Sequence, residues 1–446
     1  MKRLSFALAM AAAIFAAPAF AQQSAPKPQT LFININVFDG VNEKRIENAN
    51  VLVEGNLIKQ VSTSPIGAQG ATVIDGGGRT LMPGLIDAHW HTMLSFWPLS
   101  KVLNVNFGYL SIAAANASRG TLLRGFTTVR DAGGNVFGVK NAIDAGLAEG
   151  PRIYPAGPYI GQTSGHGDFR GPNDVPENPG TPLDYQQRMG NTLIADGVPE
   201  VIKRTREALR MGASQIKVMG GGGVSSLYDP LDVTEYTFEE MKAVVDVAKT
   251  WNTYVMVHVN TKEAVRQWID AGAMSMEHGF FIDEDTAKLM AQKGVWWSMQ
   301  PMDATGEDAF VFESPVSMAK YLRALAGLDK VVALTKKYKV KTAFGTDLLF
   351  DPALAAKQGK FLAKLKKWYT PYEALKMATY DNAQLLALSG PRNPYPGELG
   401  VVKEGALADL VLVDGNPLEN LDLVADAAKN FVVIMKDGKI YKNTIN

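Results

Sequence analysis

Between residues 81 and 347 one pattern recurs: a short apolar run stops on a polar or bulky side chain, and a stretch of helical period follows. The runs end at His91, Asp131, Pro155, Val218, His258, His278, Met299 and Asp347. Helices fit between several of them, over residues 199–211, 238–250, 262–271 and 283–293. Strands joined through helices run parallel, because the crossover returns the chain to the edge it left. Eight such units predict an α/β fold, a (β/α)8 TIM-like barrel whose strand ends all meet at one mouth. A dinucleotide-binding sheet is the competing architecture. No Gly-x-Gly-x-x-Gly opens a helix here, and the run from Gly220 to Gly223 leads into a Pro-containing loop, which argues against it.

The flanks have a different texture. Alternating runs at 31–35, 51–53 and 58–61 are separated by Asp39-Gly40 and Glu54-Gly55-Asn56. The same texture returns at 410–413, 431–435 and 439–441, with Lys436-Asp437-Gly438 as a turn. These are strands of a small antiparallel sheet, and its two halves predict a β-sandwich domain built from both ends of the chain. The expected division is a signal peptide over 1–21, sandwich over 22–80, barrel over 81–395 and sandwich again over 396–446. Lys2 and Arg3, an apolar stretch and Ala19-Phe20-Ala21 have the order of a secretory signal cleaved after Ala21, implying export to a bacterial periplasm. That stretch is too short to span a bilayer, which needs roughly 20 apolar residues.

Lys+Arg and Asp+Glu both number 45, so the net charge is zero, which argues against a nucleic-acid partner. The basic run from Lys357 to Lys367 reads as a solvated helix face. Cysteine is absent, so a metal would have to be held by histidine, carboxylate or a less usual ligand.

The chain has five histidines: His89, His91, His166, His258 and His278. His89 and His91 are two residues apart on a strand and so share a face, where neutral imidazoles can bind one metal. Together with His258 and His278 they put four imidazoles at strand ends that converge on one mouth. Lys217 lies inside the apolar run Gln215-Ile216-Lys217-Val218-Met219, where a buried ammonium is costly unless paired. It is open to three readings: a salt bridge to Asp131 or Asp347, an amine of lowered pKa, or a carbamate bridging two metal ions. Asp347 closes the last run and suits both a metal ligand and a proton acceptor, or a helix N-cap. His166 sits in Gly165-His166-Gly167-Asp168, a loop with no core to support, and the segment 162–196 is too long for a plain connector.

The set Met82-Pro83-Gly84-Leu85-Ile86-Asp87-Ala88-His89-Trp90-His91, Gly125-Phe126-Thr127-Thr128-Val129-Arg130-Asp131, Ile216-Lys217, Val257-His258, Glu277-His278-Gly279 and Gly345-Thr346-Asp347 resembles the amidohydrolase superfamily. Residues 400–411 resemble the segment that closes that family's small sheet domain. Within the superfamily the chain is most similar to the imidazolonepropionase-like branch, with prolidase- and carboxypeptidase-type members. The resemblance implies two zinc or other divalent ions, one held by His89, His91 and Asp347, the other by His258 and His278, with carbamylated Lys217 between them. It also implies substrate contacts from His166 and Tyr228, and a homo-oligomer.

The reaction expected on this basis is hydrolysis of the amide bond to a C-terminal amino acid, in a dipeptide or an N-acyl or aryl-acyl amino acid such as ochratoxin. A metal-bridging hydroxide would attack, Asp347 would shuttle the proton, Tyr228 would polarise the carbonyl and His166 would hold the carboxylate. The alternatives are a cyclic-amide or lactone hydrolase of the same superfamily, and a non-enzymatic periplasmic zinc-binding protein. The partner is a small-molecule amide or peptide, with no nucleic acid and no membrane after signal cleavage.

Overall fold

A computed structural model describes residues 27–445, apart from 172, 175–180, 227 and 313. The expected signal peptide and its cleavage site lie outside the described residues. Among the described residues no helix is long and apolar enough to cross a membrane.

The repeating unit forms eight parallel strands in the expected order. Leu85–Trp90, Phe126–Asp131 and Arg152–Pro155 make one hydrogen-bonded run. Ile216–Met219, Val255–Thr261, Ser275–Phe281, Trp296–Met299 and Lys341–Phe344 make a second. Two short strands, Thr192–Ile194 and Tyr159–Gly161, extend it beyond Ile216–Met219. The strands are buried on both faces apart from the start of Lys341–Phe344, because the barrel interior lies on one side and the helices on the other.

The two runs meet at seams made mainly by polar side chains. At one seam Gln215 Nε2 donates to the carbonyls of Tyr154 (2.9 Å) and Asp131 (3.2 Å), and Ser214 N donates to Pro155 O (2.8 Å). At the other, Asn382 Nδ2 donates to Ile86 O (2.7 Å) and Phe344 O (2.8 Å). Buried carbonyls without a ladder partner need such donors, and a carboxamide supplies two. The fold is thus the expected TIM-like barrel with a β-sandwich domain built from both ends of the chain.

Helices follow the expected spans to within a residue: Val198–Met211, Phe238–Thr250, Lys262–Ala271 and Glu284–Lys293. Phe238–Thr250 starts on a Thr237–Glu240 capping box. The other three stop at left-handed Gly212, Gly272 and Gly294.

The small sheet departs from expectation in being mixed rather than antiparallel. Gln29–Val37 pairs in parallel with both Thr72–Asp75 and Thr80–Pro83. Thr80–Pro83 also pairs with Leu410–Val413, which places residues 81–83 in the middle of the small sheet. The apolar run from Leu81 to Ala88 reads as one strand, yet it serves two sheets, divided at Gly84, whose N–H donates to Asp409 O (2.8 Å). Arg152 clamps the sheets together through Asp409 (2.8 Å) and Asp437 (2.7 Å).

The basic run is largely solvated, as expected, and its lysines are ion-paired. Lys357, Lys360, Lys364, Lys366 and Lys367 contact Asp308, Glu307, Asp303, Asp422 and Asp329, respectively.

Candidate active site

His89 and His91 emerge together at the end of the first barrel strand, and hydrogen bonds define their tautomers. His89 Nδ1 lies 2.7 Å from Glu277 Oε2, and His91 Nδ1 lies 3.2 Å from Gly133 O. Both neighbours accept only, so each Nδ1 carries the proton and each Nε2 presents a lone pair. Asp347 Oδ1 lies 3.2 Å from His91 Nε2 and 3.4 Å from His89 Nε2. Three acceptor atoms therefore converge with no hydrogen among them, an arrangement that suits a cation.

The charge states agree with this. Burial, reinforced by Lys217, pushes His89 down to about 4, so its ring is neutral at pH 7. Burial also pushes His278 down to about 3. For Asp347 burial opposes ionisation, but the imidazoles of His89, His91 and His278 outweigh it and hold the carboxyl below its ordinary value.

Asp347 and His278 sit differently from expectation. The last barrel strand ends at Phe344, and Asp347 lies three residues beyond it at φ 51°. It caps no helix: the next helix, Pro352–Ala355, is capped by Asp351. His258 and His278 lie inside strands that run on to Thr261 and Phe281. His278 has φ 73°, a left-handed conformation in mid-strand. Non-glycine residues in this region cost on the order of 1–3 kcal/mol and persist where their surroundings hold them. Here the holders are identifiable: Asp347 N donates to His89 O (2.8 Å), and Trp297 Nε1 donates to His278 O (2.7 Å). The chain must also pass close to His89 at Gly345, where a Cβ would lie 2.5 Å from that of His89.

His278 Nδ1 lies 2.8 Å from Gln300 Oε1, and the Gln300 amide nitrogen donates to Ser298 O (3.1 Å). The Gln300 oxygen is thereby the acceptor, and His278 Nε2 is left free, 4.0 Å from Asp347 Oδ2. His258 directs Nε2 towards Gly222 O (3.4 Å), which leaves Nδ1 as its acceptor. The rings of His258 and His278 are 4.4 Å apart, and those of His89 and His278 5.1 Å.

Lys217 Nζ lies 3.4 Å from His89 Nε2. Among the described residues it forms no ion pair with Asp131 or Asp347, so the salt-bridge reading of this lysine is set aside. Burial pushes its amine down to about 8. His166 stacks on His258 at 4.1 Å, its Nδ1 held by Ser226 Oγ (2.6 Å) and Asp229 Oδ2 (3.1 Å). Gly223 accommodates that ring: a Cβ there would lie 2.0 Å from His166 Cε1. Tyr228 is 47% exposed and is not part of the cavity lining.

Several supporting residues escaped the sequence reading, among them Gln300, Ser226 and Asp229. Glu277 and Arg130 are both fully buried, and Arg130 donates to both Glu277 oxygens at 2.8 and 3.0 Å. Arg130 also donates to Ala88 O and Ser275 Oγ, so Glu277 is held in place behind His89. Their signal was available: each is a charge inside an apolar strand.

The four strand histidines, Lys217 and Asp347 form the floor of a cavity of about 440 Å³. Its walls are mainly apolar, and Lys217, Asp347 and Asp351 are the only lysine, arginine, aspartate or glutamate side chains among its described lining residues.

Residues 80–446 match the amidohydrolase family. The ochratoxinase of Aspergillus niger is 32% identical over 378 residues, covering 81% of this chain and 75% of that protein. A crystal structure of a prolidase complexed with N-methylphosphonate-L-proline superposes with a TM-score of 0.85 at 34% identity, covering 93% of this chain and all of that one. An Xaa-Pro dipeptidase with methionine bound in its active site gives a TM-score of 0.80 at 28% identity, covering 93% of this chain and all of that one. The chain belongs to the amidohydrolase family, whose members are metal-dependent. It is an enzyme, a hydrolase of amide or peptide C–N bonds.

Proposed function

We propose that this protein is a binuclear zinc hydrolase that cleaves the amide bond to a C-terminal amino acid, in dipeptides or N-acyl amino acids. The observation that carries this reading is the convergence of four imidazoles, Lys217 and Asp347 on the floor of one cavity. The donor set fits the metals: acceptor atoms face one another, and each histidine's other nitrogen is occupied by a protein carbonyl, carboxylate or carboxamide. His89, His91 and Asp347 would hold one ion, His258 and His278 the other, with Lys217 between them as a carbamate.

When bound, the metals supply an activated water at neutral pH and polarise the scissile carbonyl. The chain's own groups do the rest. Asp347, ionised and within reach of both first-strand histidines, takes the proton from the attacking water and returns it to the leaving amine at its carboxylate oxygen. His166, braced by Ser226 and Asp229, presents its other ring nitrogen to the carboxylate of the departing amino acid. Tyr228 lies outside the cavity lining, so the reading assigns no step to it. The apolar walls exclude water and favour a neutral acyl portion.

The test is amino-acid release by the zinc-loaded protein from dipeptides and N-acyl amino acids, with lactones and cyclic amides alongside. Release of the C-terminal amino acid supports the proposal. Turnover of lactones or cyclic amides alone would replace it with the ring-opening alternative.

A further inference from the structure

His166 is gripped at two places. Its ring meets Ser226 and Asp229, and that grip is itself secured. Asp229 Oδ2 also accepts from Gly223 N (2.6 Å), and Lys320 Nζ donates to the carbonyls of Gly223, Ser226 and Asp229 at 2.8–3.0 Å. The backbone is held by a residue outside the cavity lining: His166 N donates to Glu235 Oε1 at 2.8 Å. Glu235 has no exposed surface, and its other oxygen is buried without a hydrogen-bond partner among the described residues. That oxygen packs against the loop, since a Cβ on Gly165 would lie 2.4 Å from it. The chain around Glu235 is fixed to the end of the fourth barrel strand. Thr234 bridges to Gly221, Glu235 N donates to Gly220 O (3.2 Å), and Tyr236 N donates to the Gln162 side-chain oxygen (2.6 Å). Through Glu235 the His166 loop is therefore registered against the strand that carries Lys217.

The charges around it differ in kind. Asp168 pairs with Arg170 (2.6 Å), and Asp229 faces His166 (3.1 Å) and Lys320 (3.8 Å). Glu235 forms no ion pair among the described residues, and a buried carboxylate with one donor and no counter-ion is costly. Burial pushes its carboxyl well above the ordinary glutamate value, and Asp229 and Asp168 push it the same way. An uncharged acid can still accept from His166 N, and it adds no negative charge beside a histidine assigned to an anionic group.

We infer that Glu235 is a positioning residue for His166: as an uncharged carboxyl it fixes the loop backbone, so that the imidazole set by Asp229 meets the carboxylate of the substrate. This rests on the assignment of His166 to that carboxylate above. Bonds at Nδ1 alone let the ring pivot about that atom, and the backbone bond fixes its other end.

The experiment compares N-acetyl-L-phenylalanine with its C-terminal carboxamide, using zinc-loaded wild type, Glu235→Met, Glu235→Gln and His166→Ala. Wild type is expected to favour the free acid by about 10–100-fold in kcat/KM, the worth of a hydrogen bond to a charged group. Glu235→Met lacks the acceptor and is expected to cut that preference about 10-fold, through KM for the acid, with the carboxamide little changed. Glu235→Gln is nearly isosteric, keeps an acceptor and is uncharged, so its preference is expected within about 2-fold of wild type. An unchanged preference in Glu235→Met, or its loss in Glu235→Gln, would overturn the inference alone. A wild type without the preference, or His166→Ala retaining it, would overturn the assignment of His166 and the inference with it. If neither substrate is cleaved, amide hydrogen exchange over residues 163–168 judges the positioning. Faster exchange in Glu235→Met but not in Glu235→Gln supports it, and unchanged exchange in Glu235→Met overturns it.

Discussion

Replacing Arg130 with methionine would remove the guanidinium while keeping most of its volume, so the effect reports charge rather than a cavity. In the native protein Glu277 has no solvent and is neutralised by two hydrogen bonds from Arg130, one from Ser275 Oγ and one from His89 Nδ1. Without Arg130 it is a buried carboxylate held by two neutral donors. Breaking a buried pair from one side costs about 3–5 kcal/mol, about a fifth or more of the stability of a typical protein. The double variant Arg130→Met/Glu277→Gln removes the stranded charge, and the glutamine oxygen still accepts from His89. It is expected within about 2 kcal/mol of wild type. Urea unfolding of the metal-free proteins gives the stabilities. A single variant within about 1 kcal/mol of wild type, or a double variant no more stable than the single, would refute the reasoning. Because a neutral amide orients and polarises His89 less well than a carboxylate, the double variant is also expected to bind zinc about 10–100-fold more weakly in chelator competition.

Four further outcomes are expected. Asp347→Asn should lower kcat by about 10²–10⁴-fold, and near-wild-type turnover would remove Asp347 from the proton path. Gly223→Ala drives a methyl into the His166 ring, so KM for N-acyl amino acids should rise about 10-fold; unchanged kinetics would show that His166 does not hold the carboxylate. Lys320→Met releases three loop carbonyls and should raise KM, with the 223–229 loop cut faster by protease; equal cleavage rates would contradict it. Lys217 must be a neutral amine to take up carbon dioxide, and its depressed value puts half-neutralisation at about pH 8. At fixed carbon dioxide pressure, labelled carbamate on metal-free protein should therefore grow from about pH 7 to about pH 9 and be missing from Lys217→Met.

The barrel and its histidines were legible because both rest on local periodicity. A strand's two-residue repeat puts His89 and His91 on one side, and helical spacing fixes the intervening segments. What escaped was set by contacts distant in sequence. Nothing local shows that Leu81–Pro83 and Leu85–Trp90 belong to different sheets, since both are apolar and only Pro83-Gly84 marks the break. Asp347 looks like a strand residue until its left-handed backbone is seen. Tyr228 belongs to a loop whose direction no repeat encodes. Asn382 and Gln215 look like ordinary polar residues, and only the barrel's seams give them their work.

The placement of Thr80–Pro83 sets a timetable for synthesis. One of its neighbours, Gln29–Val37, is made before it, but the other, Leu410–Val413, leaves the ribosome roughly 330 residues later. At ordinary elongation rates that is an interval on the order of tens of seconds. Throughout it, the first half of the small sheet has an open edge of unpaired backbone groups beside a barrel that is still growing. The last strands then close that edge and bring Asp409 and Asp437 to Arg152, so the clamp between the two sheets is fastened only when the chain is nearly complete.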